Sequence, residues 1–215
     1  TQNPGMSASD LSKLVVQSYI SGDLRITDDQ ARADFLNDLG GRLATADQLS
    51  QVIGKKSTLA AIDLSMIPTL MDSLNDLAYS MQDDDQSLVA SAKAYALSFT
   101  SVFGSNVPPA YIDLGNFVQI LRTKSRNANV QQQADQVLAD IRQAVIAEKH
   151  GGSLSGATGV AIYFPNSSLY RSPYSGPQSY TLVADRFSRN SLWDDFLAFH
   201  YNGRDFEADT RQPVI

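Results

Sequence analysis

Ser57-Thr58-Leu59-Ala60-Ala61-Ile62-Asp63-Leu64 is the stretch from which the fold is read. It is a short apolar run bounded by turn-like residues, and it suits a buried strand even with its alanines. Ser65 then offers an N-cap to a helix. Pro68 falls in that helix's first turn, where no intrahelical N–H is lost. Ile67, Leu70, Met71, Leu74, Leu77, Ala78 and Met81 follow at three- and four-residue steps, a strongly amphipathic pattern. The other strand of this quality is Gly159-Val160-Ala161-Ile162-Tyr163-Phe164, closed by Pro165-Asn166. Two apolar strands with helices between them indicate an α/β chain. They are too few for an independent sheet. The sequence therefore implies a sheet completed by chain that is not included here.

Outward from these strands the chain is mostly helical. Ser7 or Ser9 can cap a first helix, with Leu11, Leu14, Val15, Ser18 and Tyr19 on one face and Gly22 at its end. Residues 23–56 read as a helical insertion at the surface, two short amphipathic helices split by Gly40-Gly41. Residues 57–165 hold the core strands and helices. Within them Asp83-Asp84-Asp85 starts a helix whose stripe runs from Leu88 through Tyr95 and Phe99 to Phe103, stopped by Gly104. Asp113 caps a short helix. A longer one carries Val130, Ala134, Val137, Leu138, Ile141 and Val145, with His150 at its predicted C-terminus. Residues 166–215 are an aromatic and proline-rich loop, an extended piece from Tyr180 to Phe187, a last helix capped by Ser191, and a charged tail after Gly203 that frays.

The composition removes several functions. The chain has 215 residues, 43% of them hydrophobic, which is globular and not disordered. Its net charge of −6 provides no cationic surface for nucleic acid, although an acidic chain can attract a basic substrate. With no cysteine there is no disulfide, zinc–thiolate site or thiol nucleophile within it. His150 and His200 are its two histidines, so three histidines cannot hold a metal. No apolar run approaches the roughly 20 residues that span a bilayer. The start at Thr1 lacks a signal-peptide pattern and a methionine, and reads as an interior cut point.

The remaining constellations are better explained by structure than by chemistry. His150 and His200 read as helix-end residues. Gly151-Gly152-Ser153-Leu154-Ser155-Gly156 fails the Gly-x-Ser-x-Gly spacing of a nucleophile elbow, and it follows a predicted helix where a strand is required. Asp83-Asp84-Asp85 lacks the alternating spacing and glycine of a calcium loop, and reads as a helix start. Asp194-Asp195 reads the same way. Gly156-Ala157-Thr158-Gly159 has neither the spacing nor the lysine of a phosphate loop. Asn166-Ser167-Ser168 is a formal glycosylation sequon. Tyr163, Tyr170, Tyr174 and Tyr180, set among Pro165, Pro173 and Pro177, could stack on a sugar or a peptide. Packing and loop stiffening explain them as well.

Four segments, in order, resemble the clostripain family of cysteine peptidases, of the caspase-like clan. Ala61-Ile62-Asp63-Leu64-Ser65 is similar to the family's "AIDLS" strand-to-helix segment. Tyr111-Ile112-Asp113-Leu114-Gly115-Asn116-Phe117 resembles its "DL-x-x-F" helix start. Gly159-Val160-Ala161-Ile162-Tyr163-Phe164-Pro165 resembles its "GLSIYFP" strand. Trp193-Asp194-Asp195-Phe196-Leu197 resembles its last helix. Residues 4–21 look like the helix preceding the "AIDLS" strand.

The resemblance implies a helix-rich C-terminal part of a caspase-like sheet-and-helix fold, mostly parallel and with few strands of its own. It implies a secreted or cell-envelope endopeptidase that cleaves after Arg or Lys with a His–Cys dyad, with calcium as a possible cofactor. In the family the dyad lies N-terminal to the "AIDLS" region. No catalytic or cofactor-binding residue is therefore carried over to this chain. The expected partners are an N-terminal catalytic segment of the same protein and a basic peptide substrate. The other functions left open are a binding or scaffold domain that keeps the peptidase framework, and a hydrolase using Ser153 or Ser155.

Overall fold

The computed structural model describes residues 5–19, 21–38, 45–99 and 109–202. In chain order the elements begin with helices α1 (Ala8–Ser18), α2 (Leu24–Thr27), α3 (Asp29–Asp38) and α4 (Ala46–Lys56). Strand β1 (Thr58–Ile62), helices α5 (Ile67–Ser80) and α6 (Gln86–Tyr95), strand β2 (Tyr111–Asp113), and helices α7 (Leu114–Lys124) and α8 (Ala128–Ala144) follow. The rest are β3 (Val145–His150), β4 (Ala161–Tyr163), α9 (Ser167–Tyr170), α10 (Pro177–Val183), α11 (Asp185–Asn190) and α12 (Trp193–Asn202). The α/β, helix-rich character with few strands holds.

The chain forms two compact units. Thr1–Asp63 with Val145–Gly159 makes one, and Leu64–Ala144 with Val160–Ile215 makes the other.

In the first unit β1 and β3 pair antiparallel, from Thr58 opposite His150 to Ile62 opposite Val145, with an irregularity after Ala61. No residue of either strand is buried. The expectation of a parallel strand covered on both faces is thus corrected. A two-stranded ribbon has one free edge per strand and little apolar cover. α1 is capped by Ser7, whose side chain accepts from the Asp10 N–H. Its far end is held by Lys149, whose Nζ donates to the carbonyls of Gln17 (2.9 Å) and Tyr19 (2.6 Å). Cationic donors suit the unpaired carbonyls of a helix C-terminus. Three helices stand in residues 23–56 where two were expected, and Gly40-Gly41 lies outside the described residues. Thr45 and Gln48 form a capping box at α4. Gly151 must be glycine, because a Cβ there would lie 1.9 Å from the Gly54 carbonyl oxygen.

The predicted helix over 130–145 ends at Ala144, and Val145 opens β3. Val145-Ile146 is a β-branched pair, and pairing with β1 overrides the helical period. His150 is therefore at the end of a strand and not of a helix. Its Nδ1 lies 2.9 Å from a Glu148 carboxylate oxygen.

The second unit carries a dry core of Leu77, Val89, Phe117, Val118, Leu121, Phe164, Trp193 and Phe196, all fully buried. β2 and β4 pair antiparallel with Ile112 opposite Ile162. Ser98 also bridges to Ile112, so the chain after α6 is drawn into this ribbon. That ends α6 at Tyr95, short of the predicted stripe; Val102, Phe103 and Gly104 fall outside the described residues. Asp113 caps α7 and accepts from the Asn116 N–H (2.9 Å). Asp85 caps α6, where the Ser87 N–H donates to it. Arg122 and Asp135 join α7 to α8 in an ion pair. The turn Leu64–Met66 precedes α5, so the residue at the helix start is Met66 and not Ser65. Residues 166–187 are largely helical and not loop and strand. Asn166 caps α9, and Pro177 opens α10 in the first turn, where proline is preorganised.

Candidate functional site

Phe164, at the end of β4, is the centre of an aromatic cluster. Its ring meets Phe117 (5.5 Å), Trp193 (5.5 Å) and Phe196 (5.9 Å) edge-on. Such pairs add roughly 0.5–1.5 kcal/mol each beyond area burial. Trp193 also closes the strand end, its Nε1–H donating to the Tyr163 carbonyl (2.7 Å). Ser191 caps α12 as expected, accepting from the Trp193 N–H.

His200 lies against the same cluster. Its ring is 5.5 Å from Phe164, and its Nδ1 is 2.7 Å from Gln86 Oε1. Burial, and then the charge of Lys93, push its pKa down to about 4. The Lys93 ammonium stands 5.8 Å from the Phe164 ring and is itself lowered by burial. Half-buried, kept neutral and held near Gln86, His200 is a packing residue at the rim of the cluster. The helix position predicted for it is correct, since α12 ends two residues later.

On the other face of β4, Tyr163 stacks on Tyr180 at 4.8 Å and meets Tyr111 edge-on at 5.5 Å. The Tyr163 hydroxyl donates to the Ser175 carbonyl, and the Tyr201 hydroxyl to the Pro165 carbonyl. Burial raises the Tyr163 pKa to about 12, helped by Tyr111 and Tyr170. Tyr180 is raised as well, by burial first and then by Asp194. These phenols stay protonated, and those of Tyr163 and Tyr201 serve as donors. Of the four tyrosines singled out in the sequence, Tyr163, Tyr170 and Tyr180 are packed. Tyr174 is 86% exposed.

A cavity of about 540 Å³ opens beside this tyrosine pair. α5 provides Leu70 and Leu74 as one wall, and α10 provides Tyr180 and Val183 as another. No charged side chain lines it. The sequence placed Tyr163 and Tyr180 near each other but missed the α10–α11 wall. The signal was present in Tyr180, Val183, Ala184 and Phe187, spaced as one helix face, but the surrounding Ser, Pro and Gly read as loop.

The other candidates are dispersed. Ser153 lies in a turn over Gly152–Leu154, with Ser155 just after it, and both are exposed. This segment follows strand β3, not a helix, so one objection to an elbow falls while the spacing objection stands. Asp85 is used as a cap. Asp194 accepts from the Ser188 hydroxyl (2.5 Å). Among the described residues no group of three or more His, Cys, Asp or Glu is placed to hold a metal. Among them, too, no helix is long and apolar enough to cross a membrane.

No curated protein and no solved structure matches the chain. The Clostripain family model matches residues 40–200, a span that takes in all four resembling segments and leaves residues 4–21 outside it. The chain thus belongs to the clostripain family, and its function is related to that of a cysteine peptidase.

Proposed function

We propose that this chain is the non-nucleophilic, C-terminal portion of a clostripain-family cysteine endopeptidase that cleaves after Arg or Lys. The observation that carries this reading is a chain matching the family over residues 40–200 without a single cysteine. The attacking thiolate of such an enzyme must come from another stretch of polypeptide. In this reading an N-terminal segment of the same protein supplies the Cys and its general-base His. This chain contributes strands and flanking helices: 23–56 is a helical insertion, 57–165 the core, and 166–215 the aromatic region with the last helix. The half-buried β1 supports the reading, since a largely apolar strand left this uncovered calls for more sheet. The net charge of −6 suits a basic substrate. The enzyme is secreted or held at the cell envelope, with calcium the cofactor that the family resemblance implies.

The test is reconstitution. The 215-residue chain alone is expected to hydrolyse no Arg or Lys ester. Mixed with the upstream segment of its gene, it should gain turnover that iodoacetamide abolishes. Thiol-independent turnover by the chain alone would contradict the proposal, and so would an upstream segment without Cys and His. One observation favours a second reading, a binding domain on the peptidase framework: the apolar cavity beside Tyr163 and Tyr180.

A further inference from the structure

We propose that the cavity beside Tyr163 and Tyr180 is a binding site for a small, neutral, flat aromatic molecule that carries a hydroxyl or N–H donor. The inference rests on the binding-domain reading, to which it gives a ligand class. It does not depend on where a nucleophile comes from.

The cavity lies wholly within the second unit. Its volume of about 540 Å³ is that of a small-molecule site, for which roughly 300–1,000 Å³ is usual. Its inner walls are preformed. Leu70 and Leu74 are buried on α5, Leu114 at the start of α7, and Ile162 on β4. Tyr163 is fixed by its bond to the Ser175 carbonyl and by its stack on Tyr180. A ligand that enters such a site has little to reorganise. The mouth differs from the walls. Tyr174 and Val183 line the cavity, yet each is 86% exposed. Apolar side chains left in water around a concave apolar site gain cover when a ligand fills it.

The lining selects the ligand. Tyr111, Tyr163, Tyr174 and Tyr180 all contribute to it. Their faces and edges favour another ring over an aliphatic chain of similar size. None of the described lining side chains is charged, so an ion buried there would have no partner. An anion meets a second obstacle. Asp194 does not line the cavity, but it stands close enough to Tyr180 for its charge to raise that phenol's pKa. Its Oδ1 is buried with no hydrogen-bond partner among the described residues. The negative potential at this wall disfavours a carboxylate and favours the positive end of an O–H or N–H dipole. Ser179 adds a lining hydroxyl that can accept from such a donor.

The experiment is equilibrium dialysis of 2-naphthol against the 215-residue chain at neutral pH, where this phenol is uncharged. One saturable site per chain is expected. 2-Naphthoate and 2-naphthylmethylammonium should each bind about tenfold more weakly, and 1-octanol about fivefold more weakly. Ala161→Phe should abolish saturable binding with an unchanged urea midpoint, because Ala161 lines the cavity from an exposed position and the new ring would fill it. Tyr174→Ala, which removes an exposed ring at the mouth, should weaken binding about fivefold, again with an unchanged midpoint. No saturable binding of any probe would overturn both the proposal and the binding-domain reading. Equal binding of octanol, or of either charged naphthalene, would overturn the ligand class and keep that reading. Undiminished binding by Ala161→Phe would put the naphthol elsewhere and overturn the proposal too. Turnover on reconstitution reports on the peptidase reading alone.

Discussion

β1–β3 is the longer ribbon, with five residues paired against six, and none of them is buried. β2–β4 has three residues a side, yet it buries Ile112, Ile162 and Tyr163. Both ribbons are antiparallel. The difference lies in what covers them. Phe117, Phe164, Trp193 and Phe196 build a cluster on one face of β2–β4, whereas β1–β3 has α1, whose Leu11, Leu14 and Val15 are each about half exposed. Strand length and apolar content describe what a ribbon can bury. Burial itself is decided by helices placed elsewhere in the sequence.

The comparison can be broken at several points. Trp193→Ala should cost about 3–5 kcal/mol, because it empties a fully buried site and strips a donor from the Tyr163 carbonyl. Urea denaturation measures this, and a loss below ~1 kcal/mol would show that the cluster does not carry the second unit. Next come two glycines, one in each unit. A Cβ at Gly176 would meet the Tyr170 carbonyl oxygen at 2.2 Å, and one at Gly151 would meet that of Gly54 at 1.9 Å. In both cases the obstacle is backbone, so Gly176→Ala and Gly151→Ala should each cost roughly 1–3 kcal/mol. If the first unit is the looser one, the Gly151 change will sit at the low end of that range.

His200 gives a pH-dependent contrast. Its folded pKa of about 4 lies below the ordinary value of 6.5. The unfolded chain therefore takes up a proton first as pH falls. The stability that comes from keeping it neutral is complete above pH 6.5 and is lost between there and about 4. From pH 7 to pH 5 the wild type should lose about 1–2 kcal/mol more than His200→Gln, after discounting for partial exposure. Equal losses would mean that the ring is solvated. The smallest effect belongs to the open ribbon. Leu59→Ala should cost only about 1 kcal/mol, since the side chain is half-buried. A cost equal to that of Trp193→Ala would dissolve the comparison altogether.

The sequence was most legible where a period ran long or a cap was local. The stripe from Ile67 to Met81, the caps at Ser7, Asp85, Asp113 and Ser191, and the positions of the strands within 57–64 and 159–164 all stand where they were expected, although the first of these strands is not buried. It misled where tertiary pairing overrode a local preference. Val145 extended a helical stripe but pairs with Ile62, and Phe99 did so but takes part in the β2 ribbon, its N–H donating to the Tyr111 carbonyl. Residues 166–187 misled for another reason. Their Ser, Pro and Gly content is that of a loop, yet Asn166 and Pro177 each start a helix too short for a periodic signal to build up. The cavity was half legible. Its tyrosines were conspicuous, but Leu70 and Leu74 read simply as core, because a helix face facing a cavity and one facing a neighbour have the same spacing.

The bond from Trp193 to the Tyr163 carbonyl bears on solubility. An uncovered strand edge is a template on which further copies of a chain can stack. The indole occupies the acceptor at which such stacking would extend. Trp193→Phe would keep much of the packing and vacate that acceptor. A protein otherwise folded would then be expected to form cross-linkable oligomers on storage, visible by light scattering, that the wild type does not form.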